Sequence, residues 1–270
     1  MAALTEWLEG RYEKLKYFPV STIRSVALNW DSFMNQHLGT RRMAWLYGTV
    51  APSGEVAVEA WYEPPQLGLH HRLLLLEDAH RGVADDIASR LGLVLVGWFL
   101  THPFRGEDMM STTEVLTAAR LQAEHPHFVT IMFGKDRLPG GGGGGGEEYV
   151  TAGNAYQVNP QGVAMYNAGH LKKMLDAPYV MWSRKAVMAT NPDTSRYEAT
   201  HKFDTAYLLS PVAMLPHEPT LASGWPVANR RDADGHPVDD SPSTLSTMFW
   251  ESTVPLVQHF NDFHFLLYAA

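Results

Sequence analysis

Cysteine does not occur anywhere in this 270-residue sequence. Its absence excludes disulfides, thiol nucleophiles, iron–sulfur clusters and every thiolate zinc site, and it fits a reducing compartment. Any metal would need His, Asp or Glu as ligands. Also missing is an apolar run of the roughly 18 residues that a membrane span requires. The longest candidates, such as Leu91–Phe99, are strand-sized. Met1–Gly10 carries two glutamates and no apolar stretch, so it does not read as a secretory signal. Basic residues are in deficit: 21 Lys and Arg stand against 29 Asp and Glu, giving a net charge of −8 and a pI near 5.9. A duplex nucleic-acid binder needs a clustered basic face, and that class is not expected here.

What is present is a hydrophobic content of 45%, enough for a proper core and too much for a disordered chain. Leu4, Trp7, Leu8, Tyr12 and Leu15 recur at helical spacing ahead of Pro19, so an amphipathic helix is expected there. It packs on its own domain or docks on another chain, and Trp7, Leu8 and Tyr12 are its candidate interaction residues. A second helix is expected over Asn29–Leu38. Met43–Val50 and Glu55–Tyr62 flank a Pro-Ser-Gly turn and predict a hairpin. Arg81–Leu91 reads as a helix stopped by Gly92, and Leu93–Thr101 as a fully buried central strand. Ser111-Thr-Thr-Glu114 opens a further helix through Gln122 as a capping box. Strands are expected at His127–Phe133 and Glu148–Val158.

Between those strands lie seven consecutive glycines, Gly140–Gly146, followed by Glu147 and Glu148. Two carboxylates would repel a phosphate, so the run reads as a flexible hairpin loop. Asn159 as N-cap and Pro160 at the first helical position predict a helix carried by Val163, Tyr166, Leu171 and Leu175 to Asp176. Tyr179–Ala189 and Lys202–Met214 look like strands, Pro216–Pro242 like a surface loop. Val254–Tyr268 is apolar and aromatic, and its pattern does not choose between helix and strand. The expected domains are a helix over 1–24, an α/β body over 25–176 and a β-rich extension over 177–270. In the extension, Tyr207, Phe263 and Phe265 are candidate interaction residues.

The stretch most suggestive of chemistry is Gly97-Trp98-Phe-Leu100-Thr-His102-Pro103, a strand end that delivers a histidine, followed by Ser111 and Glu114. It resembles the Gly-Trp-x-His-x-His-Pro…Ser-x-x-Asp pattern of the MPN (JAMM) metalloprotease fold. In that fold two histidines and an aspartate hold zinc, and a strand glutamate acts as general base. Against the pattern, Leu100 replaces the first histidine, His102 matches the second, Glu114 is the nearest carboxylate to the aspartate position, and Glu59 could match the base. One certain ligand of three does not hold a catalytic zinc, so no metal, no cofactor and no peptidase activity are expected. His125-Pro-His127 and His70-His71 read as loop histidines.

A sharper resemblance lies in four segments that occur in order. They are Trp45-Leu-Tyr-Gly48, Tyr62-Glu63-Pro64-Pro65-Gln66-Leu-Gly68, Leu75-Leu-Glu-Asp78 and Leu91-Gly-Leu-Val-Leu-Val-Gly97-Trp98. Together they resemble the nuclear protein localisation protein 4 family, whose central domain is an inactive MPN fold. The expected fold is therefore α/β, an MPN-like mixed sheet flanked by helices with a β-rich C-terminal extension. The resemblance implies a cofactor of a hexameric AAA ATPase segregase that binds ubiquitin chains and holds an unfolded ubiquitin segment. It also implies a cytoplasmic or nuclear location. The family's N-terminal ubiquitin-like and zinc-finger modules are not expected in this sequence. The alternative is an architectural subunit on an inactive MPN domain, fixed in a large cytoskeletal or ciliary assembly. Partners are proteins in either case, with no nucleic acid and no membrane span.

Overall fold

The computed structural model describes residues 20–23, 41–68, 73–102, 110–137, 149–217, 219–221 and 259–270. The expected helices over Leu4–Leu15 and Asn29–Leu38, the glycine run and most of Pro216–Pro242 lie outside these residues. In chain order the first elements are β1 (Val20–Ile23), β2 (Met43–Val50), β3 (Val56–Tyr62), β4 (Gln66–Gly68), β5 (Leu73–Leu75) and α1 (Arg81–Arg90). Next come β6 (Val94–His102), α2 (Thr112–Glu124), β7 (Val129–Arg137), β8 (Tyr149–Val158) and α3 (Pro160–Asn167). The chain continues with β9 (Leu171–Lys173), β10 (Val180–Asn191), β11 (Arg196–Asp204), a 3₁₀ turn at Thr205–Leu208, β12 (Leu209–Val212), β13 (Met214–His217) and α4 (Phe263–Ala269).

Eight strands form one mixed sheet in the order β12-β8-β7-β6-β2-β3-β1-β13. The hairpin β2/β3 and the pairs β2/β6, β7/β8 and β8/β12 are antiparallel, while β6/β7, β1/β3 and β1/β13 are parallel. β6 and β7 follow one another in the chain and pair in parallel, so the step between them needs a crossover, and α2 lies in it. Two-residue alternation sorts β2: Met43 packs with Leu100, Met110, Val115 and Met181 on the face shared with α2. Ala44 and Leu46 pack with Phe99, Val129 and Ile131 on the other. Around Tyr47, Tyr62, Leu93 and Phe263 a third cluster seats α1 and α4. A mixed sheet flanked by helices, with further strands toward the C-terminus, is the expected α/β class. Strands β12 and β13 lie beyond residue 176 and β1 lies before residue 25, yet all three are hydrogen-bonded into this one sheet.

Two expectations are corrected. The helix expected to reach Asp176 ends at Asn167, because Gly169 adopts φ +65° and the His170 amide donates to the Met165 carbonyl at 3.0 Å. That left-handed stop turns the chain, so Leu171 enters β9 opposite Ser183 and Leu175 is left 91% exposed. The single strand expected over Lys202–Met214 is broken by the 3₁₀ turn. Asp204 caps the turn through the Ala206 amide at 2.7 Å, and the buried Thr205 hydroxyl donates to the Met110 carbonyl at 2.7 Å. The turn carries the chain from the small β9–β11 sheet into the large one. The undecided Val254–Tyr268 segment contributes α4, capped by the Asp262 carboxylate.

Helix α2 starts with the expected reciprocal cap. The Ser111 amide donates to Glu114 Oε2 at 2.7 Å, and the Glu114 amide donates to Ser111 Oγ at 3.4 Å. Replacing Ser111 with Ala removes one acceptor for the first-turn amides, and a loss of about 1 kcal/mol is expected in urea unfolding. An unchanged midpoint would show that the cap contributes nothing.

Candidate functional site

The strand end singled out by the sequence, Leu100 to His102, lies beside the start of β2. Their register places Met43 opposite Leu100, and the Thr101 amide donates to the Arg42 carbonyl at 2.9 Å. In return the Arg42 amide donates to Thr101 Oγ1 at 2.8 Å. Arg42 is 6% exposed, and its guanidinium pairs with the carboxylate of Glu63, which is fully buried. A buried charge is tolerable only with such a partner and further hydrogen bonds. Gln66 supplies one of them: its Nε2 lies 3.2 Å from Glu63 Oε1 and donates at 2.9 Å to the Met43 carbonyl. Its Oε1 accepts from the Met43 amide at 2.8 Å. One side-chain amide thus satisfies both backbone groups of Met43, as a neighbouring strand would.

The remaining residues of Tyr62–Gly68 shape this clamp. Tyr62 is buried and donates to Asp78 at 2.8 Å. Pro64 and Pro65 fix the turn by their restricted φ, and the Pro65 carbonyl accepts from the Leu76 amide at 2.9 Å. Gly68 passes so close to the Arg41 carbonyl that any Cβ there would overlap it. Gly97 lies similarly close to the Val129 carbonyl. Trp98 donates to Thr130 Oγ1 at 2.6 Å and stacks on Trp45, with ring centroids 6.2 Å apart.

Of the five positions laid against the metal pattern, the structure brings some together and separates others. Leu100 is 6% exposed and packs among Met43, Trp98, Met110 and Met132. Glu114 serves Ser111 and also pairs with Arg41 at 3.3 Å. His102 is the last residue of β6, in register with Gly134. Glu59 lies elsewhere: it faces the bulge where Tyr47 and Gly48 meet β3, level with Val94 and Leu95 at the opposite end of β6. Five to six residues of β6, roughly 15–20 Å, separate that level from Leu100. The carboxylate beside the strand end is Glu63.

Glu59 has a different task. It is 7% exposed and accepts from the Thr220 amide at 2.7 Å, the Thr220 hydroxyl at 2.9 Å and His217 Nε2 at 2.8 Å. Burial pushes its carboxyl pKa up, but the Thr220 and His217 hydrogen bonds and the charge of His217 together hold it below the ordinary carboxylate range. The carboxylate thereby fastens the chain after β13 onto β3. Among the candidate interaction residues, Tyr207 is 42% exposed. Phe263 is buried with its ring centroid 5.7 Å from that of Tyr47, and Phe265 packs edge-on to Phe260 at 5.3 Å, so both rings serve packing. Trp7, Leu8 and Tyr12 lie outside the described residues.

Sequence reasoning missed Arg42, Thr101, His217 and Thr220. The one available signal was Glu63 in an otherwise apolar strand end, which requires a cation that the sequence does not point to.

What the fold and this centre define is a mixed α/β sheet protein whose central strand end is closed by a buried ion pair and an amide clamp. The sequence model described as the NPL4 family matches residues 42–270, and the chain belongs to that family. It is 34% identical over 244 residues to the NPL4-like protein of Oryza sativa subsp. japonica, covering 86% of this chain and 55% of that protein. Against NPL4-like protein 1 of Arabidopsis thaliana it is 28% identical over 274 residues, covering 97% of this chain and 62% of the relative. With the Homo sapiens nuclear protein localization protein 4 homolog it shares 27% identity over 280 residues, or 88% of this chain and 45% of that one. The chain spans about half the length of the curated relatives it matches.

Two outcomes follow from this geometry. Glu63→Ala leaves a buried guanidinium without its carboxylate, and about 3–5 kcal/mol of stability is expected to disappear. An apolar pair, Arg42→Met with Glu63→Leu, should recover most of it; urea unfolding of the three proteins checks both. Because the folded-state pKa of Glu59 is depressed, its contribution is present above the unfolded carboxylate pKa and is lost as pH falls through the lower folded value. Melting temperature followed from neutral pH downward should therefore drop less steeply in Glu59→Gln than in the parent, and identical acid limbs would contradict the assignment.

Proposed function

We propose that this chain is a non-catalytic, protein-binding member of its family, built on an inactive MPN-like body over 25–176 with an extension over 177–270. In this reading it acts as a cofactor of a hexameric AAA ATPase segregase, in the cytoplasm or nucleus, and takes ubiquitin as its partner. The observation that carries the reading is the family match across residues 42–270, which spans most of that body and all of the extension. Local chemistry supports it. The position of the first metal histidine holds Leu100, packed into the core, and the carboxylate nearest the metal-aspartate position, Glu114, is engaged by a helix cap and by Arg41. Those side chains serve packing and capping rather than a polarised water.

A cofactor of this kind favours an extended partner. Binding an extended segment carries an ordering cost that a long surface can offset, and main-chain pairing at a strand edge supplies affinity independent of side-chain sequence. Folded mono-ubiquitin is expected to bind weakly, with Kd on the order of hundreds of micromolar. A destabilised ubiquitin or a long chain should bind at least about tenfold more tightly. Titrating the full chain with folded ubiquitin, a destabilised ubiquitin and long ubiquitin chains tests this, and no binding to any of the three sinks it.

A further inference from the structure

Charge is not spread evenly along this acidic chain. Residues 171–204 hold Lys172, Lys173, Arg184, Lys185, Arg196 and Lys202 against Asp176, Asp193, Glu198 and Asp204, six cations less four anions, or +2, where the whole chain carries −8. These residues build the three-stranded sheet β11-β10-β9. Alternation along β10 sends Met181, Ser183, Val187 and Ala189 inward and leaves Trp182 and Met188 on the outer face. Register then sets Lys172 and Lys202 on either side of Trp182, one on each neighbouring strand.

The row is ordered by contacts of its own. Lys172 Nζ sits 5.5 Å from the centroid of the Trp182 ring, and His201 stacks alongside that ring at 6.0 Å and 20°. His201 Nδ1 donates to the Ser183 carbonyl at 2.8 Å, which holds the imidazole beside the indole. The nearby carboxylates are mostly engaged. Asp193 pairs with Lys202 at 2.6 Å, Glu198 accepts from Asn191 and Thr194, and Asp204 caps the 3₁₀ turn. Asp176 lies in the connection from β9 to β10. Among the described residues, Lys172, Lys173, Arg184 and Lys185 are all exposed and none of them forms an ion pair. Beside them Met188 and Tyr197 are 37% and 66% exposed.

We propose that this outer face of β9–β11 is a docking surface for an acidic peptide segment in which Asp or Glu residues sit next to apolar ones. Charge complementarity selects the occupant: the unpaired Lys172 lies against the half-buried Trp182, and the unpaired Arg184 follows two residues along β10 beside apolar side chains, on a molecule that otherwise repels anions. An excess of two charges releases too few counterions to hold a nucleic acid against a net charge of −8, whereas a short peptide needs only a few charge-assisted bonds and an apolar anchor. The surface is independent of the ubiquitin reading, since its probes contain no ubiquitin and its observations stand whichever way that titration falls.

Fluorescence polarisation of the full chain tests the proposal with three labelled probes. They are a short peptide of Glu and Asp interleaved with Phe and Leu, the same peptide with Lys in place of every acid, and a short oligothymidine. Saturable binding of the acidic peptide, weakened by salt, is expected, with little or none for the other two. Lys172→Glu combined with Arg184→Glu should lower peptide affinity by about tenfold or more while leaving the melting temperature unchanged. If that pair disturbs folding, Lys172→Gln with Arg184→Gln makes the same comparison, with a loss of a few-fold expected. Unchanged affinity in a folded variant, oligothymidine binding as tight as the peptide, or no saturable peptide binding would each overturn the proposal.

Discussion

The buried pair between Arg42 and Glu63 is the constraint around which the centre of this protein is arranged. A carboxylate with no exposed surface is costly to desolvate, and attraction to one cation offsets that cost only when the remaining lone pairs and donors are also served. Residues both near and far in sequence gather at this pair. Gln66 closes on Glu63 and Met43, Thr101 closes on Arg42, and Gly68 yields room for the Arg41 backbone. The start of β2, the end of β6 and the turn after β3 are thereby bound to a single point.

This arrangement gives the Tyr62–Gly68 segment a physical meaning. Six of its seven residues answer a local requirement: a buried hydroxyl with an acceptor, a carboxylate with a cation, two prolines that fix the turn, an amide that stands in for a strand, and a glycine at a backbone crossing. The same end of β6 is where the MPN metalloprotease pattern would place its first histidine. Here Leu100 extends the hydrophobic cluster and Glu114 stabilises a helix start.

Legibility in the sequence followed the range of the forces involved. The β2/β3 hairpin, the α1 stop at Gly92, the capping box at Ser111 and the cap at Asn159 were all readable, because each depends on residues only a few positions apart. The α3 helix was overextended because Leu171 and Leu175 fit a helical period, while the left-handed Gly169 ahead of them decided the geometry. Glu59 was the natural choice for a strand glutamate near the metal pattern. The β2/β3 bulge and the pairing with β6 put it at the far end of the sheet, and no local pattern encodes that register.

By itself the sequence determined the class of elements, their caps and turns, the alternation that makes both faces of the sheet apolar, and the family. Those properties arise from backbone restriction and hydrophobic period, which act locally. Only the tertiary structure decided which charge meets which: Arg42 with Glu63 across 21 residues, Glu59 with His217 across 158, and Lys172 and Lys202 on either side of Trp182. Many cations and anions in the chain have equal local propensities, and an ion pair is chosen by strand register and burial, which exist only once the sheet has closed.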